Sequence, residues 1–195
     1  MAQLTLYGFA PSTYVRTARI ACEEKGVPYQ LAPLEMGAAS HADLHPFRKM
    51  PAMAHGDVRL FETLAIVAYV DGAFDGPALL PAAPLERARA LGWVSACIDY
   101  VYPAVVQAFL EAGAVDDDEV LASARRTLSP FDAALAEATY LGGGAPDVAD
   151  LFLAPMVAYA AGAGARDALL EGAPGLARWL ARVGDRPSFA ATAPA

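Results

Sequence analysis

Before Asp75 the apolar pattern of this chain switches period repeatedly, and after Leu85 it shows helical spacing alone; that order is its strongest constraint on fold. Gln3–Gly8 alternates, with Leu4 and Leu6 on one face and Thr5 and Tyr7 on the other, a strand pattern. Pro11 and Ser12 punctuate. Thr13–Lys25 then sets Val15, Ala18, Ala21 and Cys22 at helical spacing, with Gly26 placed to end the helix. Val27–Leu34 reads as a second strand, so the opening is a βαβ unit whose first two strands run parallel through a right-handed crossover. Pro51–His55 and Val58–Glu62 read as short strands joined at Gly56-Asp57, followed by a helix over Thr63–Val70. Between Asp75 and Pro84, three prolines forbid a continuous helix and mark a linker. The helical remainder breaks at Asp116–Asp118, Gly142–Gly144, Gly162–Gly164 and Gly172–Gly175. A dinucleotide-binding α/β domain would keep alternating, so that class is excluded.

Composition narrows the function classes. The 195 residues suit one large domain or two small ones, and 56% hydrophobic residues exclude a disordered chain. With 22 acidic against 14 basic side chains the net charge is −8 and no Lys/Arg cluster appears, so nucleic acid and anionic membrane surfaces are not expected partners. Cys22 and Cys97 form neither a disulfide framework nor a CxxC pair. The start, Met-Ala-Gln-Leu-Thr-Leu-Tyr-Gly, lacks a basic leader segment, and the longest uncharged run, Leu151–Ala165, is interrupted by Pro155, Gly162 and Gly164 and falls short of a bilayer span. A cytoplasmic location is expected. His41, a loop histidine in this reading, shares no periodic face with His45 and His55, and no metal site is expected.

Four places could carry chemistry. Ala10-Pro-Ser-Thr-Tyr14 lies where the first strand meets the first helix. Ser12 there is either a plain N-cap or a hydroxyl presented at the positive helix end, a natural anion site. Met50-Pro51, before the third strand, is either trans, as most such bonds are, or cis; a cis bond would turn the Met50 backbone toward an extended ligand. Glu62 and Thr63, at the start of the next helix, suit an ammonium and a carboxylate respectively, or simply an acid in a first turn. Asp147-Val-Ala-Asp150 reads as a variant capping box and therefore as structure rather than chemistry.

Taken in order, these pieces resemble the cytosolic glutathione transferases over nearly the whole chain. Ser12-Thr-Tyr-Val-Arg-Thr-Ala-Arg-Ile-Ala-Cys-Glu-Glu-Lys-Gly26 is similar to the first helix of the plant phi class and related bacterial members. His-Pro-Phe-Arg-Lys-Met-Pro-Ala (45–52) resembles their Asn-Pro-Phe-Gly-Lys/Gln-Val/Ile-Pro-Ala loop, with His45 for Asn and Arg48 for Gly. Leu60-Phe-Glu-Thr63 matches their Leu-Phe/Tyr-Glu-Ser/Thr motif. Asp147 through Asp150 stands where they have Ser/Thr-x-x-Asp, and the ending from Trp179 to Phe189 is also typical.

The resemblance implies an α/β thioredoxin-like domain over 1–76, a linker over 77–84 and an all-α domain over 85–195, with glutathione as co-substrate at their boundary. It implies Ser12 as the catalytic hydroxyl bonded to the glutathione sulfur, with Tyr7 its rival because other classes use a tyrosine there. Met50, ahead of Pro51, would pair its backbone with the cysteinyl part. Glu62 and Thr63 would hold the γ-glutamyl end, and Lys49 the glycyl carboxylate. A homodimer is implied, with Phe47 as an interface aromatic. The second substrate, a small hydrophobic electrophile, would meet Tyr14 and the stretch carrying Tyr100, Tyr102, Val106 and Phe109, although that apolar stretch equally suits helix packing.

The chemistry is affordable without a metal. A free thiol of pKa about 8.5 is mostly protonated at neutral pH. Lowering it by about two units requires roughly 2.7 kcal/mol. One hydrogen bond to the ionised sulfur supplies about 1.5–3 kcal/mol, and a helix end adds about 0.3–1 kcal/mol. The alternative class is a non-catalytic member that uses the scaffold to bind ligands or proteins. A thiol oxidoreductase would need cysteine where Ser12 and Thr13 stand.

Overall fold

Alternation shows in Leu4–Tyr7, where buried and half-buried residues take turns, and pairing builds the rest of the sheet around that strand. β1 (Leu4–Tyr7), β2 (Tyr29–Ala32), β3 (Ala52–His55) and β4 (Val58–Phe61) form one sheet of order β2-β1-β3-β4. The β1–β2 pair is parallel and the other two pairs antiparallel. The structure is a computed structural model and describes residues 2–112 and 117–194.

Three helices complete this part: α1 (Thr13–Glu24), α2 (Ala39–Leu44) and α3 (Thr63–Ala73). α1 ends because Gly26 takes φ 64, which lets the Val27 N–H reach Cys22 O at 2.8 Å and the Gly26 N–H reach Glu23 O at 3.1 Å. That closure also shortens β2 from the expected Val27–Leu34. The Val27 amide is spent on the helix end, and Pro28 has none to give. Leu4, Leu6 and Met53 from the sheet meet Ala18 and Cys22 of α1 and Ile66 and Val70 of α3 in one buried cluster. Each large apolar side chain there contributes about 1.5–3 kcal/mol by leaving water.

α2 has no apolar periodicity of its own, and the sequence reading passes over it. His41, expected in a loop, lies within α2 and is buried, with its Nε2 3.0 Å from Lys49 O.

The second unit, Leu80–Arg186, is helical. α4 (Pro84–Ala96) runs on through a widened π-helical stretch, Cys97–Gln107, into α5 (Ala108–Ala112). Pro103, which has no N–H to donate, sits in the widened part. α6 (Asp118–Glu137) starts at the expected acidic break. The Asp117 carboxylate accepts the Glu119 and Val120 amides, and Asp116 lies outside the described residues. α7 (Val148–Ala160) continues through Ala161–Ala165 into α8 (Arg166–Leu170). The expected break at Gly162–Gly164 is thus a kink, made at Gly164 with φ 95. Pro84–Glu111 and Val148–Leu170 are each long and apolar enough to cross a membrane by length and composition. In the second, 67% of the most apolar window is buried within the fold, as in a core helix.

α7 is organised by its capping box. Asp147 accepts the Ala149 amide at 2.8 Å, and Asp150 reaches back to the Asp147 amide at 3.1 Å. Asp150 also accepts the Trp179 indole N–H at 2.7 Å and the Leu141 amide at 3.0 Å. Burial pushes the Asp147 carboxyl up to about 6 and raises that of Asp150 as well, opposed at Asp150 by the donors around it.

Gly175 does not end a helix; it lies in the first turn of α9 (Pro174–Gly184). A Cβ there would sit 2.6 Å from Asp132 O and 2.8 Å from Ala136 N, both backbone atoms of α6. The approach lets Asp132 accept the Leu176 amide at 2.8 Å. We expect Gly175→Ala to cost on the order of 1–3 kcal/mol through overpacking. A calorimetric melting temperature unchanged from wild type would contradict this.

The final helix, α10 (Pro187–Ala191), groups with the first unit, Met1–Leu79, and not with the 85–195 domain in which the sequence reading places it. Arg16 on α1 donates to Phe189 O at 3.0 Å and stacks 3.8 Å over the Phe189 ring, while Arg19 donates to Thr192 O. Cys22 and Cys97 are free and buried. Burial raises the Cys22 thiol to about 12, and burial with the Asp150 charge raises Cys97 further.

Candidate functional site

Strand register gathers the site. Tyr7 pairs with Ala52, and Ala52 with Phe61, so the end of β1, the start of β3 and the end of β4 share one edge of the sheet. From that edge leave the Gly8–Ser12 turn, the Met50-Pro51 segment and the Glu62-Thr63 junction. A Cβ on Gly8 would lie 3.5 Å from the Met50 Cβ, which measures how closely the first two approach. Two helices also begin here: α1 after its cap Ser12, and α3 after Glu62. Two positive helix ends therefore flank a single edge, a setting that favours a bound anion.

Ser12 is the N-cap of α1. Its Oγ accepts the Val15 amide at 3.4 Å, a long capping bond. Its hydroxyl proton is given to no protein acceptor among the described residues. A serine hydroxyl has one donor and two acceptor sites, so the cap leaves the donor free for a ligand. Ser12 and Tyr7 are both half-buried at this edge.

The loop between α2 and β3 is fixed from below. His41 meets Lys49 O, so the Lys49 backbone is pinned while its side chain is exposed. The Met50–Pro51 bond, left open by the sequence, is cis. Met50 is half-buried and Pro51 buried. Arg48, where the resembling motif carries glycine, takes φ 50, a left-handed conformation that glycine adopts more easily.

Glu62 has φ 70 and ψ 124, a conformation that costs a non-glycine residue on the order of 1–3 kcal/mol and that clusters at ligand clamps. Its side chain makes no capping bond and is 63% exposed. Thr63 beside it is buried. One contact escapes sequence reasoning: the buried ring of His45 places Nε2 3.9 Å from Glu62 Oε1. Seventeen positions separate the two along the chain (62 − 45), and no spacing rule links them.

The residues expected for a second substrate do not share one environment. Tyr14 and Tyr102 are half-buried, Tyr100 is 67% exposed, and Val106 and Phe109 are buried. Val106 therefore behaves as a packing residue of the helical unit. Among the described residues no group of His, Cys, Asp and Glu could hold a metal ion.

Comparison with known proteins fits this geometry. Residues 2–72 match the family model for the glutathione S-transferase N-terminal domain, and residues 99–182 that for the C-terminal domain. A glutathione S-transferase from Hyoscyamus muticus is 28% identical over 203 residues, covering 95% of each chain. Glutathione S-transferase 4 of Zea mays is 32% identical over 162 residues, 75% of this chain and 72% of the maize protein. The crystal structure of a theta class glutathione S-transferase from Xanthomonas axonopodis pv. citri, with glutathione bound, superposes with a TM-score of 0.82 at 27% identity, covering 98% of this chain and 97% of that one.

Proposed function

The chain belongs to the glutathione S-transferase family, and on that footing we propose that it lowers the pKa of the glutathione thiol and directs the thiolate at a small hydrophobic electrophile. The observation that carries the reading is the register Tyr7–Ala52–Phe61, which gathers Ser12, Met50, Glu62 and Thr63 at one sheet edge beside two helix N-termini. Glutathione needs one group for each of its parts. In this reading the Ser12 hydroxyl donates to the sulfur, the Met50 backbone pairs with the cysteinyl residue ahead of Pro51, and the exposed Glu62 carboxylate takes the γ-glutamyl ammonium. Thr63 and the α3 N-terminus meet the γ-glutamyl carboxylate, and the exposed Lys49 ammonium meets the glycyl carboxylate. No metal enters the step. Tyr14, half-buried on α1, remains a candidate for the electrophile's surroundings. Phe47, 69% exposed with the Phe61 ring 6.3 Å away, supports a homodimer interface, and two free, buried thiols suit the reducing cytoplasm.

The test is direct. The full chain should be retained on immobilised glutathione and should conjugate a generic aromatic electrophile. Glu62→Gln should weaken glutathione roughly tenfold or more, the value of a hydrogen bond between charged groups. Retention without turnover would point to a ligand carrier. Neither retention nor turnover would refute the reading.

A further inference from the structure

Glu62 bears an exposed carboxylate with little of its own to hold it: no capping bond, a positive φ, and as its ion-pair partner among the described residues the His45 ring at 3.9 Å. His45, by contrast, is tightly held. It is 1% exposed, its Nδ1 accepts the Phe47 amide at 3.3 Å, and its ring lies 5.2 Å from that of Phe61. Because Nδ1 is the acceptor, the neutral ring keeps its proton on Nε2, the atom turned toward Glu62.

We propose that His45 is a positioning residue for Glu62: uncharged, it steers the carboxylate toward the incoming γ-glutamyl ammonium, and protonated, it captures that carboxylate and competes with glutathione. The proposal rests on Glu62 as the ammonium-binding group. At 3.9 Å the neutral ring acts through its N–H dipole alone, so Glu62 keeps its full charge for the ligand. A proton on Nδ1 would break the Phe47 bond and set a full positive charge beside the carboxylate. The charged groups that face the ring are Glu62 from the β4–α3 junction, His41 from α2 and Lys49 from the loop after it; only Glu62 favours protonation. Burial, the largest effect, holds His45 below its ordinary 6.5. The ring is therefore neutral at neutral pH and titrates on the acid side, and glutathione binding weakens as it does so.

Calorimetric titration of the full chain with S-methylglutathione, whose capped sulfur takes the thiol's own ionisation out of the pH profile, between pH 8 and 5 tests this. Wild-type affinity should fall roughly two- to fivefold across that range, the scale of a partly screened charge pair. His45→Asn, whose amide oxygen can still accept the Phe47 N–H, should flatten the profile and weaken binding at pH 8 by about that same factor, because the N–H that steers Glu62 is gone. Should His45→Asn not fold, NMR titration of the wild-type His45 ring serves instead. By linkage, saturating glutathione must lower its midpoint. A pH step that survives His45→Asn, or a ring midpoint that glutathione leaves in place or raises, overturns the proposal. Glu62→Gln separates the two ideas. If it weakens binding at pH 8 while His45 proves irrelevant, the positioning role alone falls; if it leaves affinity intact, the ammonium site and the proposal fall together.

Discussion

Asp150→Ala will destabilise the helical unit by about 3 kcal/mol or more, since three N–H donors lose their acceptor at about 1–3 kcal/mol each, a large share of the usual 5–15 kcal/mol of overall stability. The sequence motif suggests less, since a lost cap costs about 1 kcal/mol. The difference is in the partners. Asp150 is 2% exposed and accepts N–H groups from Leu141, Asp147 and the fully buried Trp179. Alanine would orphan each of these donors where water cannot replace the carboxylate. Asp150→Asn separates charge from shape, because its amide oxygen can still take the indole N–H at one site while its NH2 faces an amide donor at the other. It should lose less than alanine. Denaturant titration of the three proteins checks this; an alanine variant within 1 kcal/mol of wild type would remove Asp150 from its central place in α7.

Ser12→Ala should raise the pKa of bound glutathione and slow turnover roughly ten- to a hundredfold, the equivalent of about 1.5–3 kcal/mol for a hydrogen bond to a charged sulfur. The same change also removes the 3.4 Å cap on α1, so stability must be separated from chemistry. Ser12→Gly does so, since glycine at an N-cap costs only a few tenths of a kcal/mol. Its melting temperature should stay near wild type while turnover falls as far as in Ser12→Ala. Glutathione affinity should change much less in both, because Glu62, Thr63 and the Met50 backbone remain. The measurement is thiolate absorbance of bound glutathione against pH, with Tyr7→Phe run in parallel. A titration moved by Tyr7→Phe and unmoved by both Ser12 variants would transfer the role to the tyrosine.

What could be read from the sequence was whatever repeats locally. Alternation marked the first strand, Gly26 marked the end of α1, and Gly56-Asp57 the hairpin, because each rests on neighbours in the chain. The Asp147–Asp150 box was visible for the same reason. α2 was not: six residues, Ala-Ser-His-Ala-Asp-Leu, are too few to display a period, and the burial of His41 depends on a carbonyl eight residues on. The Trp179–Asp150 bond, the Gly175 approach to α6 and the return of α10 to α1 join distant segments and leave no local trace. The site followed the same division. Its motifs were legible one by one, whereas the register that brings Tyr7, Ala52 and Phe61 into line, and the placing of His45 under Glu62, exist only in the folded sheet.

In the proposed reaction the electrophile could alkylate the protein itself, and the two cysteines bear on that hazard. Burial raises the Cys22 thiol to about 12, which keeps it protonated at neutral pH, and only the thiolate is a competent nucleophile. Cys97, raised further, is less reactive still, and both side chains have 0% of their surface open to solvent. Neither cysteine then competes with the glutathione sulfur of the proposed reaction for an incoming reagent. The packing that makes these cysteines ordinary core residues thus also gives the catalyst chemical immunity, and long exposure to a thiol-specific reagent should leave it functional until it unfolds.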